Sequence, residues 1–478
     1  MTTAIRGGQV VTPEGAFQAD VLIDGAVIAA VGRDVGVDAA EVIDATGCLV
    51  LPGCVDMHTH LEAPHNELDV DASETYTCDD FRAGTRAAAV GGTTTIVDFA
   101  TQFPGVGLNE TLDGYQQRLI EKPPTVDVGL HMIVTDMSVP GAVEEIATLC
   151  DRGVTSFKLF MAYKESPLWV DDGTMLRVAQ AAGAAGGLVM VHAETGLAIE
   201  VLQAQALRDG RIEAIHHALT RPPITEAEAV YRAIAICRLG GAPVYFMHIS
   251  CRESVEAIGR ARGEGLDVHG ETCPQYLAFT EDVLRQEPAE AAKYVVTPPP
   301  RTDEHRQAVW EGLRTGVLEI VSTDHCPYTS AQKAAATNFL DIPNGAPGVE
   351  NRLEVMYELG VRQGRLTPER LVDLLAASPA RLFGLHPRKG SLHPGSDADI
   401  VVFNPSRPRT ISAKDQVSKC DYSLYEGMEI GGSVQDVLFG GELLVEDGKL
   451  VGREDGGRFI ERERWRAPSA AAAPAAAR

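Results

Sequence analysis

Six side chains able to bind a metal or carry a proton recur at comparable points of the chain. His58 and His60 are two residues apart, so on an extended segment both project to the same side and can hold one ion. His192 closes the apolar run 188–191, His248 closes 244–247, and Asp324 follows 318–321 after Ser322 and Thr323. Lys158 stands between Phe157 and Leu159 inside the run 155–160. Each alone has a plain reading. A histidine after a strand is commonly structural, an aspartate there often caps the next helix, and a lysine in an apolar run can snorkel from a rim. Together, four histidines, one aspartate and one lysine fall at the same end of five predicted strands, a joint pattern that the plain readings do not explain and that suits a metal site. His131, His216, His217, His269 and His325 read as structural or supporting residues, and His65 sits ambiguously in the loop after the first pair.

The elements that would position these groups alternate. Apolar, often β-branched runs occur at 49–51, 94–97, 128–133, 155–160, 188–191, 244–247, 266–269 and 318–321. Stretches with helical spacing, such as 79–90, 142–150 and 226–239, separate them. Eight strands alternating with helices predict an α/β fold, a (β/α)8 barrel whose catalytic face lies at the strand C-termini. Extra material at 194–243 predicts an inserted loop or helix. Both chain ends are instead rich in short strands broken by turns such as Asp24-Gly25 and Gly440-Gly441. The expected division is a small β-sandwich from 1–54 and 387–460, a catalytic barrel from 55–386, and a tail from 461–478. Residues 467–478, almost all Ala, Pro and Ser, read as disordered.

A chain of 478 residues suits one large barrel with an accessory domain. Its net charge of −25 repels phosphate backbones and anionic membranes, so neither nucleic acid nor membrane is an expected partner. The 9 cysteines are scattered without a Cys-x-x-Cys pair, which argues against a disulfide framework or a thiolate zinc knuckle. No signal-peptide pattern opens the sequence and no apolar run approaches the ~20 residues of a membrane helix, so a cytoplasmic protein is expected.

The stretches 53–60, 91–94, 157–163, 271–277, 322–327, 342–345 and 425–428 resemble the amidohydrolase superfamily, and within it the dihydropyrimidinase/D-hydantoinase family of cyclic amidohydrolases. They span nearly the whole chain. The resemblance implies two divalent metal ions, with zinc expected and manganese or cobalt as substitutes. It implies that Lys158 is carboxylated on its amine by carbon dioxide and bridges the ions. A buried lysine, which loses its proton easily, is suited to that reaction. His58, His60 and Asp324 would bind one ion, and His192 and His248 the other. Asp324 would move a proton from water to the leaving ring nitrogen, Tyr163 would donate to the tetrahedral oxyanion, and Thr297 and Asn344 would hold the amide edge of the ring. The implied substrate is a small dihydropyrimidine or hydantoin, opened to an N-carbamoyl amino acid by a homotetramer or homodimer.

Two departures stand out. The family's short Met-Pro-Phe-Gly-Gly loop is replaced by the longer 63–71, which leaves the ring substituent open. Glu194-Thr195-Gly196 replaces Glu-Asn-Gly, and the ligand before it is kept. Allantoinase, or another cyclic-ureide hydrolase, shares the metals and differs in the pocket. A one-metal deaminase has no need of Lys158. A non-catalytic scaffold of the collapsin-response type lacks ligands, whereas here all six ligand positions are filled.

Overall fold

The computed structural model describes residues 2–63 and 77–465. Eight parallel strands follow one another around a barrel in chain order: β1 (Cys54–Thr59), β2 (Thr93–Thr101), β3 (Asp127–Ile133), β4 (Ser156–Phe160), β5 (Leu188–His192), β6 (Val244–Phe246), β7 (Val268–Thr272) and β8 (Ile320–Val321). A bridge between Thr59 and His325 closes the ring, and the His60 N–H donates to the His325 carbonyl at 2.8 Å. The strands are buried along their length, as expected of a parallel sheet covered by helices. Side chains alternate. Phe157 and Leu159 of β4 face the helical layer, so Lys158 faces the barrel interior with Phe160, Met190 and Tyr245. Register shifts near Asp56 interrupt this alternation in β1.

One strand assignment is corrected. The run 49–51 is not a barrel strand. Leu49–Pro52 pairs with Ile400–Asn404 in a separate seven-stranded sheet, Val50 opposite Val402. That strand is buried on both faces and therefore reads like a parallel-sheet strand. The first barrel strand is β1, whose Asp56 and His58 disguise it as polar. The material between β5 and β6 forms three helices, Gly196–Arg208, Ile215–Leu219 and Pro223–Gly240.

The seven-stranded sheet draws on both chain ends, with Gln9–Thr12 and Leu49–Pro52 beside Ile400–Asn404 and Ser433–Phe439. It packs against a four-stranded sheet formed by Thr2–Arg6, Asp20–Asp24, Val27–Gly32 and Glu41–Asp44. Val10, Val50, Ile400 and Val402 face Ile5, Val21 and Ile23 in a shared core. On the opposite face Leu49, Leu51, Val401 and Phe403 join the core of the barrel. Lys389 lies between the two bodies, with its ammonium 2.8 Å from Asp127 Oδ2 at the start of β3 and 2.7 Å from Asp399 Oδ2.

The chain then runs along the barrel floor, opposite the strand C-termini. The N–H groups of Ile460, Arg462 and Trp465 donate to the carbonyls of Val128, Gly153 and Gly186. Arg462 reaches inward to the Leu130 carbonyl at 2.6 Å and Ser156 Oγ at 2.9 Å. His65, most of the loop 63–71 and the stretch 467–478 lie outside the described residues.

Candidate active site

At the other end of the barrel, His58 Nε2 lies 3.2 Å from His60 Nε2 and 3.0 Å from Asp324 Oδ1, and His60 Nε2 lies 3.4 Å from that same oxygen. These ligand atoms fall within 4.8 Å of one another, a cluster able to hold a metal ion. Across from it, His192 Nδ1 is 3.0 Å from His248 Nε2. The His58 and His248 rings are 5.4 Å apart, which brings the two groups together. All five residues line one cavity of about 320 Å³ with Lys158, Tyr163, Thr297 and Asn344, so the nine residues singled out from sequence share a single space.

Lys158 is buried, with its amine beside Met247 Sδ and over the rings of Phe160 and Phe99. Burial pushes its pKa down to about 7, so a neutral amine is accessible near neutral pH. Burial pushes His60 down to about 4 and also lowers His192 and His248. These rings are therefore neutral, the form that offers a lone pair to a metal. Burial alone would raise Asp324, but His58 and His60 hold it well below the usual carboxylate range. Burial alone would likewise lower His58, yet Asp324 and Glu271 push it up to about 9. Two carboxylates around one imidazole call for positive charge at that point, which either a proton or a metal ion satisfies.

The backbone is strained here. Tyr163, His248 and Asp324 have φ of 66°, 40° and 54°, each just beyond a barrel strand. Left-handed non-glycine residues cost energy and persist where surrounding structure fixes them.

Several supporting residues carry no role in the sequence reading. Glu271 Oε1 lies 2.6 Å from His58 Nδ1. Arg221 donates to Glu194 Oε2 at 2.7 Å, and that oxygen lies 2.9 Å from His192 Nε2. Asp56 accepts the N–H groups of His58 and Thr323, both at 3.2 Å, which ties β1 to the segment bearing Asp324. Asp98, pushed up to about 7 by burial, accepts the Thr59 hydroxyl and the Leu61 N–H. The available signal was an acid inside a strand that also carries apolar runs, as at Asp56 and Asp98. Gly196 has a steric reason, since a Cβ there would lie 2.7 Å from Ala162 Cα, beside the Tyr163 turn.

At the cavity's other wall, Thr297 Oγ1 lies 3.1 Å from His217 Nε2 and also meets the Tyr163 hydroxyl. Asn344 Oδ1 is buried and has no hydrogen-bond partner among the described residues. Such an acceptor is costly to leave unmade and suits an incoming N–H donor.

Barrel and cluster fit one family. The amidohydrolase family model matches residues 49–444, and the chain belongs to that family. Its relatives narrow the class. The D-hydantoinase of Streptomyces coelicolor is 46% identical over 468 residues, covering 96% of this chain and 98% of the relative. The crystal structure of dihydropyrimidinase from Brevibacillus agri NCHU1002 matches with a TM-score of 0.93 at 41% identity, covering 98% of this chain and 100% of that one. L-hydantoinase (dihydropyrimidinase) from Arthrobacter aurescens matches with a TM-score of 0.86 at 31% identity, covering 96% and 99%. Among the described residues, no helix is long and apolar enough to cross a membrane.

Proposed function

We propose that this chain hydrolyses the cyclic amide of a hydantoin or dihydropyrimidine, giving an N-carbamoyl amino acid. The observation that carries the reading is the meeting of the His58/His60/Asp324 cluster with His192 and His248 around Lys158, at the mouth of an amidohydrolase barrel. Two divalent ions, with zinc expected, would be held by His58, His60 and Asp324 and by His192 and His248, with Lys158 carboxylated on Nζ as the shared ligand. When bound, such ions acidify water and polarise a carbonyl.

The chain's own residues do the rest. Asp324 is ionised, so it accepts the proton of the attacking water and delivers it to the ring nitrogen as the C–N bond breaks. Burial raises the Tyr163 pKa, so its hydroxyl stays protonated and donates to the oxyanion that forms on the ring carbonyl. Thr297 and Asn344 hold the amide edge, and the Asn344 carbonyl oxygen accepts a ring N–H. Replacing Asn344 with Ala lowers kcat/KM by about 10–100-fold, chiefly through KM, since the contact is made by substrate and transition state alike. Steady-state kinetics on the preferred ring check this.

Exposed apolar side chains on and around the inserted helices support assembly into dimers or tetramers. Leu197 and Val201 are one turn apart, and Ile212, Leu219 and Ile224 lie further along the same insertion. The cysteines are all free, which supports a reducing, cytoplasmic setting.

The test is metal content per chain in protein purified without chelator, together with turnover of hydantoin, dihydrouracil and allantoin. About two ions, turnover of hydantoin or dihydrouracil, and loss on chelation with recovery on adding zinc support the proposal. Turnover of allantoin alone would move it to the ureide hydrolases. Full turnover by metal-free protein would overturn it.

A further inference from the structure

We infer that a second cavity, built around the buried Lys333, binds a small carboxylate with an apolar body, and that its occupancy is felt at the substrate-holding residues Thr297 and Asn344.

This cavity measures about 570 Å³, against about 320 Å³ for the catalytic one. Ile212, Ile215, Leu284, Ala291 and Ile342 line it together with Lys333. Glu213 and Arg285 stand at its edge, but both side chains are half in water or more, and they pair with His216 and Glu281. Lys333 is 1% exposed and has no ion-pair partner among the described residues. Its amine donates to the carbonyls of Ala292 at 3.0 Å and Val295 at 2.9 Å. An ammonium has three donors, so two carbonyls leave one N–H to use. Capping the helix Pro288–Lys293 accounts for the Ala292 contact, yet a lysine snorkelling from the surface does that with its charge in water. Burying the amine without a counter-charge is costly and pushes its pKa down to about 7. A carboxylate supplies the missing charge in an apolar space, where a charge-assisted hydrogen bond is strong. The rest of such a ligand meets aliphatic walls.

The route to the catalytic cavity is short. The Val295 carbonyl that holds Lys333 also accepts the Gly345 N–H at 3.1 Å. Gly345 follows Asn344, and Val295 precedes Thr297 by two residues. Ile342 lines both cavities. A ligand drawing on the Lys333 ammonium therefore alters the anchor shared by the two segments that hold the ring. Only this coupling rests on the substrate contacts proposed above.

Metal-loaded, full-length protein is illuminated with 4-azidobenzoate, a carboxylate that labels its surroundings, and with 4-azidobenzamide as its uncharged match. Peptide mapping is expected to find the label on 212–215 and 284–292, with about 10-fold less from the amide at equal concentration. Lys333→Met removes that difference, and Ala291→Leu, which fills the cavity, lowers labelling by both probes. The wild-type map stands whether or not the variants fold. In steady-state kinetics, benzoate is expected to raise KM on the preferred ring about 5-fold to a plateau, with kcat little changed. A ligand competing at the metals raises KM without limit. Label confined to the catalytic cavity, or equal labelling by the amide, overturns the site. Cavity labelling with a KM that stays fixed or climbs without a plateau overturns the coupling. A chain that turns over no cyclic amide loses the proposed function, while the labelling still decides the site.

Discussion

Lys158→Met lowers kcat on the preferred ring by about 10⁴-fold or more, the scale lost when a metal-activated nucleophile and its Lewis acid go together. The same change makes the metal-free chain more stable. Among the described residues Lys158 is the one lysine lining the cavity, and its amine lies against a thioether and two aromatic faces. A methionine fills that space without a charge to desolvate. The pH dependence carries a sign. Burial lowers the folded-state pKa of Lys158 to about 7, below its unfolded value, so between these values the unfolded chain binds the extra proton and wild-type stability rises with pH. The advantage of Lys158→Met is thus largest below about pH 7 and fades toward about pH 10, near the unfolded lysine value. Thermal melts in chelator at both ends of that range, with metal content and kcat on the loaded enzyme, measure this. A variant with full metal and full activity would remove Lys158 from the site.

Lys389→Met is expected to destabilise the fold by about 3–5 kcal/mol, the usual cost of breaking a buried ion pair by removing one partner. Three carboxylates converge on this ammonium: Asp127 at 2.8 Å, Asp397 at 3.0 Å and Asp399 at 2.7 Å. Without Lys389 they are left close together with little water. Burial alone would lower the Lys389 pKa, but these acids raise it. Its contribution is therefore present in full below about pH 10.4, the unfolded lysine value, and is lost only as pH rises through the folded one. Denaturant midpoints report the loss. Residual folded protein should turn over substrate normally, because Lys389 is remote from the cavity. Adding Asp399→Leu to Lys389→Met should recover part of the stability, since it removes one of the stranded charges. Unchanged midpoints in the single variant would mean that the three acids are already screened by solvent.

The parts of the site legible in the sequence were those with local signatures. His58 and His60 declare themselves by spacing, and His192, His248 and Asp324 by following apolar runs. Lys158 declares itself by interrupting one. The barrel was legible through its alternation of runs and helical stretches. The first strand was missed because Leu49–Pro52, apolar and buried on both faces, outshone β1, where Asp56 and His58 interrupt the apolar pattern. Glu271 was out of reach for a different reason. Its partners His58, Tyr245 and Ser322 are scattered along the chain, and no periodicity links a carboxylate to an imidazole 213 residues away. The Asp56–Thr323 contact is of the same kind, set by barrel closure rather than local pattern.

The pairing of Val50 with Val402 also has a consequence for biosynthesis. Roughly 350 residues separate these partners, so at typical elongation rates the N-terminal strands wait about 20–70 s on the ribosome for the strand that completes their sheet. During that interval Leu49–Pro52 presents a bare hydrogen-bonding edge and two apolar faces to the cytosol. Yield in a heterologous host should therefore depend on translation speed and chaperone supply more than the stability of the finished enzyme would suggest.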